Sequence, residues 1–223
     1  MAAAWGIAAM GGWPSDEERK AAFEAYTLAV GKVAHAWNYL HEKLGQLFVV
    51  VSGADRKIAL AIWYSTDSDR AQRLMLRAAV AASGKDRWPS ALLAPDDLKW
   101  LLDRADELAE QRNNVIHAPC SLYISPGTPV RSELGASFLH GHPRARKLMG
   151  KKLLVEFDWC ERFAETLSDF TQRVETGLAF SERYPWPERP RLPTRGLKSD
   201  PQALPRPPKK TKQRTRQRRS SKA

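Results

Sequence analysis

Leu98 to His117, LKWLLDRADELAEQRNNVIH, is the stretch from which the fold is read. Leu98, Leu101, Ala105, Leu108, Arg112 and Val115 recur at alternating steps of three and four, the spacing of a helix face that meets other helices. Five of these six residues are apolar or small; the sixth is a guanidinium. Desolvating an unpaired charge is expensive, so Arg112 on this seam calls for a partner, a wet cleft or an anionic ligand. Asn113 lies four residues before His117 and shares its face, and His117 titrates near neutral pH. Ala118-Pro119 ends the helix, because proline cannot continue it and disfavours helix in the residue before it.

The seam needs neighbours, and the chain supplies them. Ser15-Asp16-Glu17-Glu18 is a capping-box pattern opening a long helix. In that helix Phe23, Tyr26, Val30, Val33, Trp37, Leu40, Leu44, Leu47 and Val51 keep the same rhythm, and Gly53 marks its stop. Ile58 to Tyr64 is apolar on every side and reads as a short buried helix, with a strand as the alternative. Asp67-Ser68-Asp69 caps a third helix through Leu74, Met75, Ala78 and Ala82, stopping near Gly84. Lys85 to Pro95 is a loop, and Pro95-Asp96-Asp97 starts the central helix. After Pro119, Cys120 to Ser125 alternates weakly and Pro126-Gly127-Thr128-Pro129 is a turn. A short hairpin through Val130 to Leu139 is compatible with this pattern. His140 to Lys152 is polar and basic and reads as a loop. A last helix carries Cys160, Phe163, Leu167, Phe170 and Val174 and ends near Ser181. The expected fold is all-α: an up-and-down bundle of four or five helices with an irregular insertion before the last.

The formal net charge of +11 is unevenly placed. Residues 182–223 hold 14 Lys and Arg against 3 Asp and Glu, which leaves 22 of each sign in residues 1–181. The basic balance therefore describes the C-terminal end and says nothing about the bundle. Eight of the 15 prolines also fall after Ser181, and the end reads as a disordered, Pro-rich basic tail over 182–223. Its Lys209, Lys210, Lys212, Arg214, Arg216, Arg218 and Arg219 can hold RNA through phosphates without reading bases. The opening MAAAWGIAAMGGWP has no basic n-region and is broken by glycines, so residues 1–14 read as a flexible leader before a bundle over 15–181. No apolar run reaches the ~18 residues that a membrane helix requires. Two cysteines, Cys120 and Cys160, make no disulfide framework and fit a reducing, cytoplasmic setting, both as small core residues.

Arg112-Asn113-Asn114-Val115-Ile116-His117, at the end of the penultimate helix of a small bundle, resembles the HEPN superfamily. Its usual motif is Arg, four to six residues, then His, often with a polar residue directly after the Arg. Trp37-Asn38-Tyr39-Leu40 and Ser68-Asp69-Arg70-Ala71-Gln72-Arg73 also look like bacterial members. The long Pro119–Lys152 insertion departs from the common pattern. The resemblance implies a metal-independent endoribonuclease of toxin or defence type, needing no cofactor. It implies a homodimer with a composite site of Arg112, His117 and Asn113, and an antitoxin or regulatory partner. It equally allows a non-catalytic module that binds RNA or a partner. RNA cleavage needs a base for the 2′-hydroxyl, an acid for the leaving 5′-oxygen, and positive charge at the phosphorus. An imidazole and a guanidinium suit those tasks.

A purely structural reading stands beside it: Arg112 paired with Glu18, Glu24 or Glu42, and His117 as a C-terminal cap. His35, Asn38 and Glu42 form a polar stripe, and Arg70, Arg73 and Arg77 a basic one; both read as solvated faces. His140-Gly141-His142 offers two nitrogens, but no cysteine or carboxylate constellation that would make a zinc site.

Overall fold

A computed structural model describes residues 15–84, 93–125, 131–137 and 141–195. The expected leader, the turn at 126–129, most of the 85–95 loop, His140 and the basic cluster from Lys209 to Arg219 lie outside the described residues.

The first helix, α1, runs Asp16–Ser52. Ser15 Oγ accepts the Glu18 N–H at 3.2 Å and Glu18 Oε2 accepts the Ser15 N–H at 2.7 Å, the reciprocal box that its sequence announces. Gly53 stops it at φ 67°, a left-handed position where glycine carries no Cβ penalty. Then come α2 (Arg56–Trp63), α3 (Asp69–Ser83), α4 (Ala94–His117), the strands β1 (Cys120–Ser125) and β2 (Arg131–Ala136), α5 (Pro143–Lys147) and α6 (Leu153–Ala179). The fold is the expected helical bundle. The described residues form six helices, the extra one being the single turn α5 inside the stretch read as a loop. β1 and β2 form an antiparallel pair from Cys120↔Ala136 to Ser125↔Arg131, placing the hairpin between α4 and α6. No helix among the described residues is long and apolar enough to cross a membrane.

Cross-helix partners fix the directions. Trp37 meets Asp69 and Val51 meets Ser83, so α3 runs parallel to α1. Tyr26 meets Phe157 and Lys32 meets Glu161, so α6 does too. Arg73 meets Asp106 and Arg77 meets Asp103, so α4 runs against them. One end of the bundle thus gathers the starts of α3 and α6 and the finish of α4.

The core holds the seam of α4, with Leu98, Leu101, Ala105, Leu108 and Val115 all buried. Against it lie Leu40, Leu44 and Leu47 of α1 and Phe157, Phe163, Leu167 and Phe170 of α6. Three faces depart from the sequence reading. Only Ala59 and Trp63 of α2 are buried, while Ile58 and Ile62 face out, because the short helix lies on the outside of α1 and turns one stripe inward. The inward face of α3 is Gln72, Arg73 and Leu76, with Leu74 exposed. Phe23 is exposed because Tyr26 already meets Phe157 in the opening turn of α6, so the first turns of α1 overrun the start of that helix.

The boundary expected at Glu182 is also displaced. Trp186 and Leu192 pack on the core, Trp159 Nε1 donates to the Pro193 carbonyl at 2.9 Å, and Trp186 Nε1 donates to the buried Asp97 carboxylate at 2.6 Å. Residues 182–195 form a strap on the bundle, because prolines fix an extended chain whose one tryptophan, Trp186, and arginines find partners on α4 and α6.

Candidate functional site

The site is built where α4 ends. Arg112 is half-buried and forms no ion pair with a carboxylate among the described residues. Its Nη1 donates to Asn113 Oδ1 at 2.8 Å, and its guanidinium lies 5.2 Å from the centre of the Trp37 ring. Its Nε is buried without a hydrogen-bond partner, as is Nδ2 of Asn114. Burial and the Arg73 charge lower the Arg112 pKa, burial being the larger cause, while the Asp69 carboxylate opposes them. The pairing with Glu18, Glu24 or Glu42 does not form.

Trp37 is the platform of this corner. Its Nε1 donates to Asp69 Oδ2 at 2.7 Å, at the first residue of α3. A second guanidinium, that of Arg73, lies 5.4 Å from the ring centre, and the His41 ring lies 4.7 Å away. Arg73, read from sequence as solvated, is buried: its Nε donates to Asp106 Oδ1 at 2.7 Å and its Nη1 bonds His41 Nε2 at 3.1 Å. Arginine has no acceptor, so His41 Nε2 carries no proton and Nδ1–H donates to Gln72 Oε1 at 3.0 Å. Gln72 Nε2 in turn donates to the carbonyl of Trp63. Arg77 meets Asp103 and Asp106, half-exposed, while Arg70 is fully on the surface as read. His35, Asn38 and Glu42 are exposed.

His117 is exposed on a different side of α4 from Arg112. Five residues of helix place the two about 140° apart around the axis and about 7.5 Å apart along it. No hydrogen bond joins them, yet the Arg112 charge reaches the imidazole. Partial shielding of the ring, then the Arg144 and Arg112 charges, hold the His117 pKa below its ordinary value. Arg144 reaches this helix end from α5, its Nη1 donating to the Asn113 carbonyl at 2.7 Å. The sequence reading missed Trp37, His41, Asp69 and Arg144 as parts of the corner. The signals were present for the first three: Trp37 and Asp69 lie in the two stretches noted for their resemblance, and His41 follows Leu40 on the buried face of α1.

Cys120 and Cys160 are free thiols, and burial beside the Glu156 carboxylate pushes Cys160 up to about 12, leaving it inert as a nucleophile. Among the described residues no three His, Cys, Asp or Glu side chains converge on a common point. The seven tail cations named above lie outside the described residues. Compared with known proteins, the chain matches no family model, no curated protein and no solved structure.

Proposed function

We propose that this protein is a HEPN-like RNA-binding protein that cleaves RNA as a homodimer in the cytoplasm, with His117 and Arg112 as the working pair and Asn113 orienting Arg112. One observation carries the reading: a half-buried guanidinium without a carboxylate sits at the helix end that presents an exposed imidazole among cations. A lowered pKa leaves His117 neutral at physiological pH, the form that accepts a proton from the ribose 2′-hydroxyl. The 2′-oxygen attacks phosphorus, the bond to the 5′-oxygen breaks, and the products are a 2′,3′-cyclic phosphate and a 5′-hydroxyl. The 5′-oxygen needs a proton, and His117 of a second copy, protonated beside the bound phosphate, supplies it. The angular separation of Arg112 and His117 on α4 is the physical reason for the second copy: one phosphate is gripped by both residue types only when two helix ends meet.

A second reading, an inert Arg/His motif in an RNA- or partner-binding module, is favoured by the contacts of Arg112 with Trp37 and Asn113, which would serve packing alone. The test incubates 5′-labelled RNA in EDTA with the full chain, His117→Ala and Arg112→Ala, each checked by thermal melting. Cleavage by the wild type that falls about a hundredfold or more in folded His117→Ala supports the enzyme. Intact RNA at every wild-type dose, or equal cleavage by His117→Ala, rejects it.

A further inference from the structure

Residues 1–181 are balanced in charge, yet the folded chain gathers cations around the last turns of α4, the end that carries His117. Residues 143–152, PRARKLMGKK, hold five Lys and Arg and no acid. Their helix, α5, lies along the last turns of α4. Lys147 Nζ meets Glu110 Oε1 at 2.6 Å, and Arg144 holds the Asn113 carbonyl one turn later. Glu110, Asn113 and His117 recur at three- and four-residue steps, so they share one stripe of α4, about 10 Å long, that ends at the imidazole. Arg146 is exposed. From the other side the strap brings Arg195, which donates to Gln111 Oε1 at 3.0 Å, meets Glu156 at 3.2 Å and lies over the Trp159 ring at 4.2 Å. Lys151 meets the same Glu156 oxygen at 3.5 Å. Two separate segments thus deliver Arg144, Arg146, Lys147, Lys151 and Arg195 to one end of the bundle. Glu110 and Glu156 are the carboxylates that these cations meet among the described residues, so positive charge remains in excess.

Resting on the ribonuclease reading above, we propose that Arg144, Arg146, Lys147, Lys151 and Arg195 form a track for the sugar-phosphate backbone of single-stranded RNA, leading the strand to His117. Lysine and arginine on phosphates give affinity without base readout, so the track is indifferent to sequence. The strap serves it twice. It fixes Arg195 in the track, and only 13 residues of sequence separate Arg195 from Lys209, where the Lys209–Arg219 cluster begins. Two cationic modules joined by so short a stretch of one chain act on one strand with a high effective concentration.

The experiment measures binding of a fluorescein-labelled 20-nucleotide uridine RNA by anisotropy. The protein is full-length His117→Ala, which silences cleavage, with and without Arg146→Ala/Lys147→Ala, from 0.1 to 0.5 M KCl. Both residues are exposed, and a melting curve verifies the fold. Removing two phosphate contacts should lower the slope of log Kd on log salt by about 1.4 and raise Kd about twentyfold at 0.1 M salt. Absence of RNA binding, or a slope and Kd that the double substitution leaves unchanged, overturns the track. So does affinity that vanishes on deleting residues 196–223 while the double substitution has no effect. Failure of the enzyme reading is seen separately: a track-dependent Kd with no cleavage by wild type removes the nuclease and keeps the track.

Discussion

The guanidinium of Arg112 lies 5.2 Å from the centre of the Trp37 ring, and the same ring faces Arg73 at 5.4 Å. Trp37 is almost wholly buried, and its indole N–H is tied to Asp69. One side chain therefore fills the core of α1 and holds the cation at the end of α4.

Two substitutions separate those roles. Trp37→Ala should cost about 3–5 kcal/mol, because it removes a large buried ring and leaves two guanidinium groups without their platform. In a domain of this size that corresponds to a Tm lower by about 6–20 °C. Trp37→Phe keeps one aromatic ring but loses the bond to Asp69 and part of the buried ring volume, so its melting loss should be smaller than that of Trp37→Ala. Equal losses in the two variants would show that the Asp69 bond, not the ring, holds the corner.

Two glycines of α1 should respond in opposite senses. A Cβ at Gly31 meets nothing within 4 Å, so Gly31→Ala should stabilise the helix by about 0.5–1 kcal/mol through lower unfolded-chain entropy. A Cβ at Gly45 would lie 2.9 Å from Trp63 Nε1, and Trp63 is fully buried. Gly45→Ala should therefore lose about 1–3 kcal/mol to overpacking in spite of its better helix propensity. Thermal melts of the two single variants check the sign, and a stabilised Gly45→Ala would contradict the packing of α2 on α1.

These contrasts mark what the sequence made legible. Helix limits were readable at Ser15, Gly53, Ser68 and Gly84, because caps act through local backbone geometry. The α4 seam was readable because its period is that of the helix. Arg73 was not, because charged residues default to the surface unless a partner is known, and Asp106 lies 33 residues away. The exposure of Ile58 and the strap at Trp186 escaped for a related reason: each depends on which distant surface is already occupied. At the site, Arg112 and His117 stood out as a cation and an imidazole at a helix end. Arg144 did not, since only the fold of the insertion brings α5 beside Asn113.

The strap should behave as part of the bundle. A chain ending at Ser181 loses Trp186 and Arg189 from the buried Asp97, and it uncovers Trp159 and Glu156. Leaving a buried carboxylate without its donors costs about 3 kcal/mol. The chain ending at Ser181 should therefore melt several degrees below one ending at Arg195, and limited proteolysis should cut it faster. If both truncated chains melt together, the strap contributes nothing to stability and the boundary belongs at Ser181.

The Arg73–His41 bond makes stability depend on pH in a definite direction. Nε2 of His41 accepts from Arg73, so protonating it would set an imidazolium N–H against a buried guanidinium. Burial is the main cause that lowers the His41 pKa, with Arg73 and Arg112 adding to it, while Asp69 and Gln72 oppose. A histidine whose folded pKa lies below its unfolded value binds fewer protons when folded. Its contribution is therefore fully present above about pH 6.5 and is lost as pH falls from there towards the folded value. The exposed His117 is shifted the same way. Wild type should show a falling Tm between pH 7.5 and 5.5. His117→Ala should keep most of that slope, and His41→Gln, whose side-chain oxygen can still accept from Arg73 but does not titrate, should flatten it. A slope that survives His41→Gln and disappears in His117→Ala would place the titrating group at the helix end and not in the buried network.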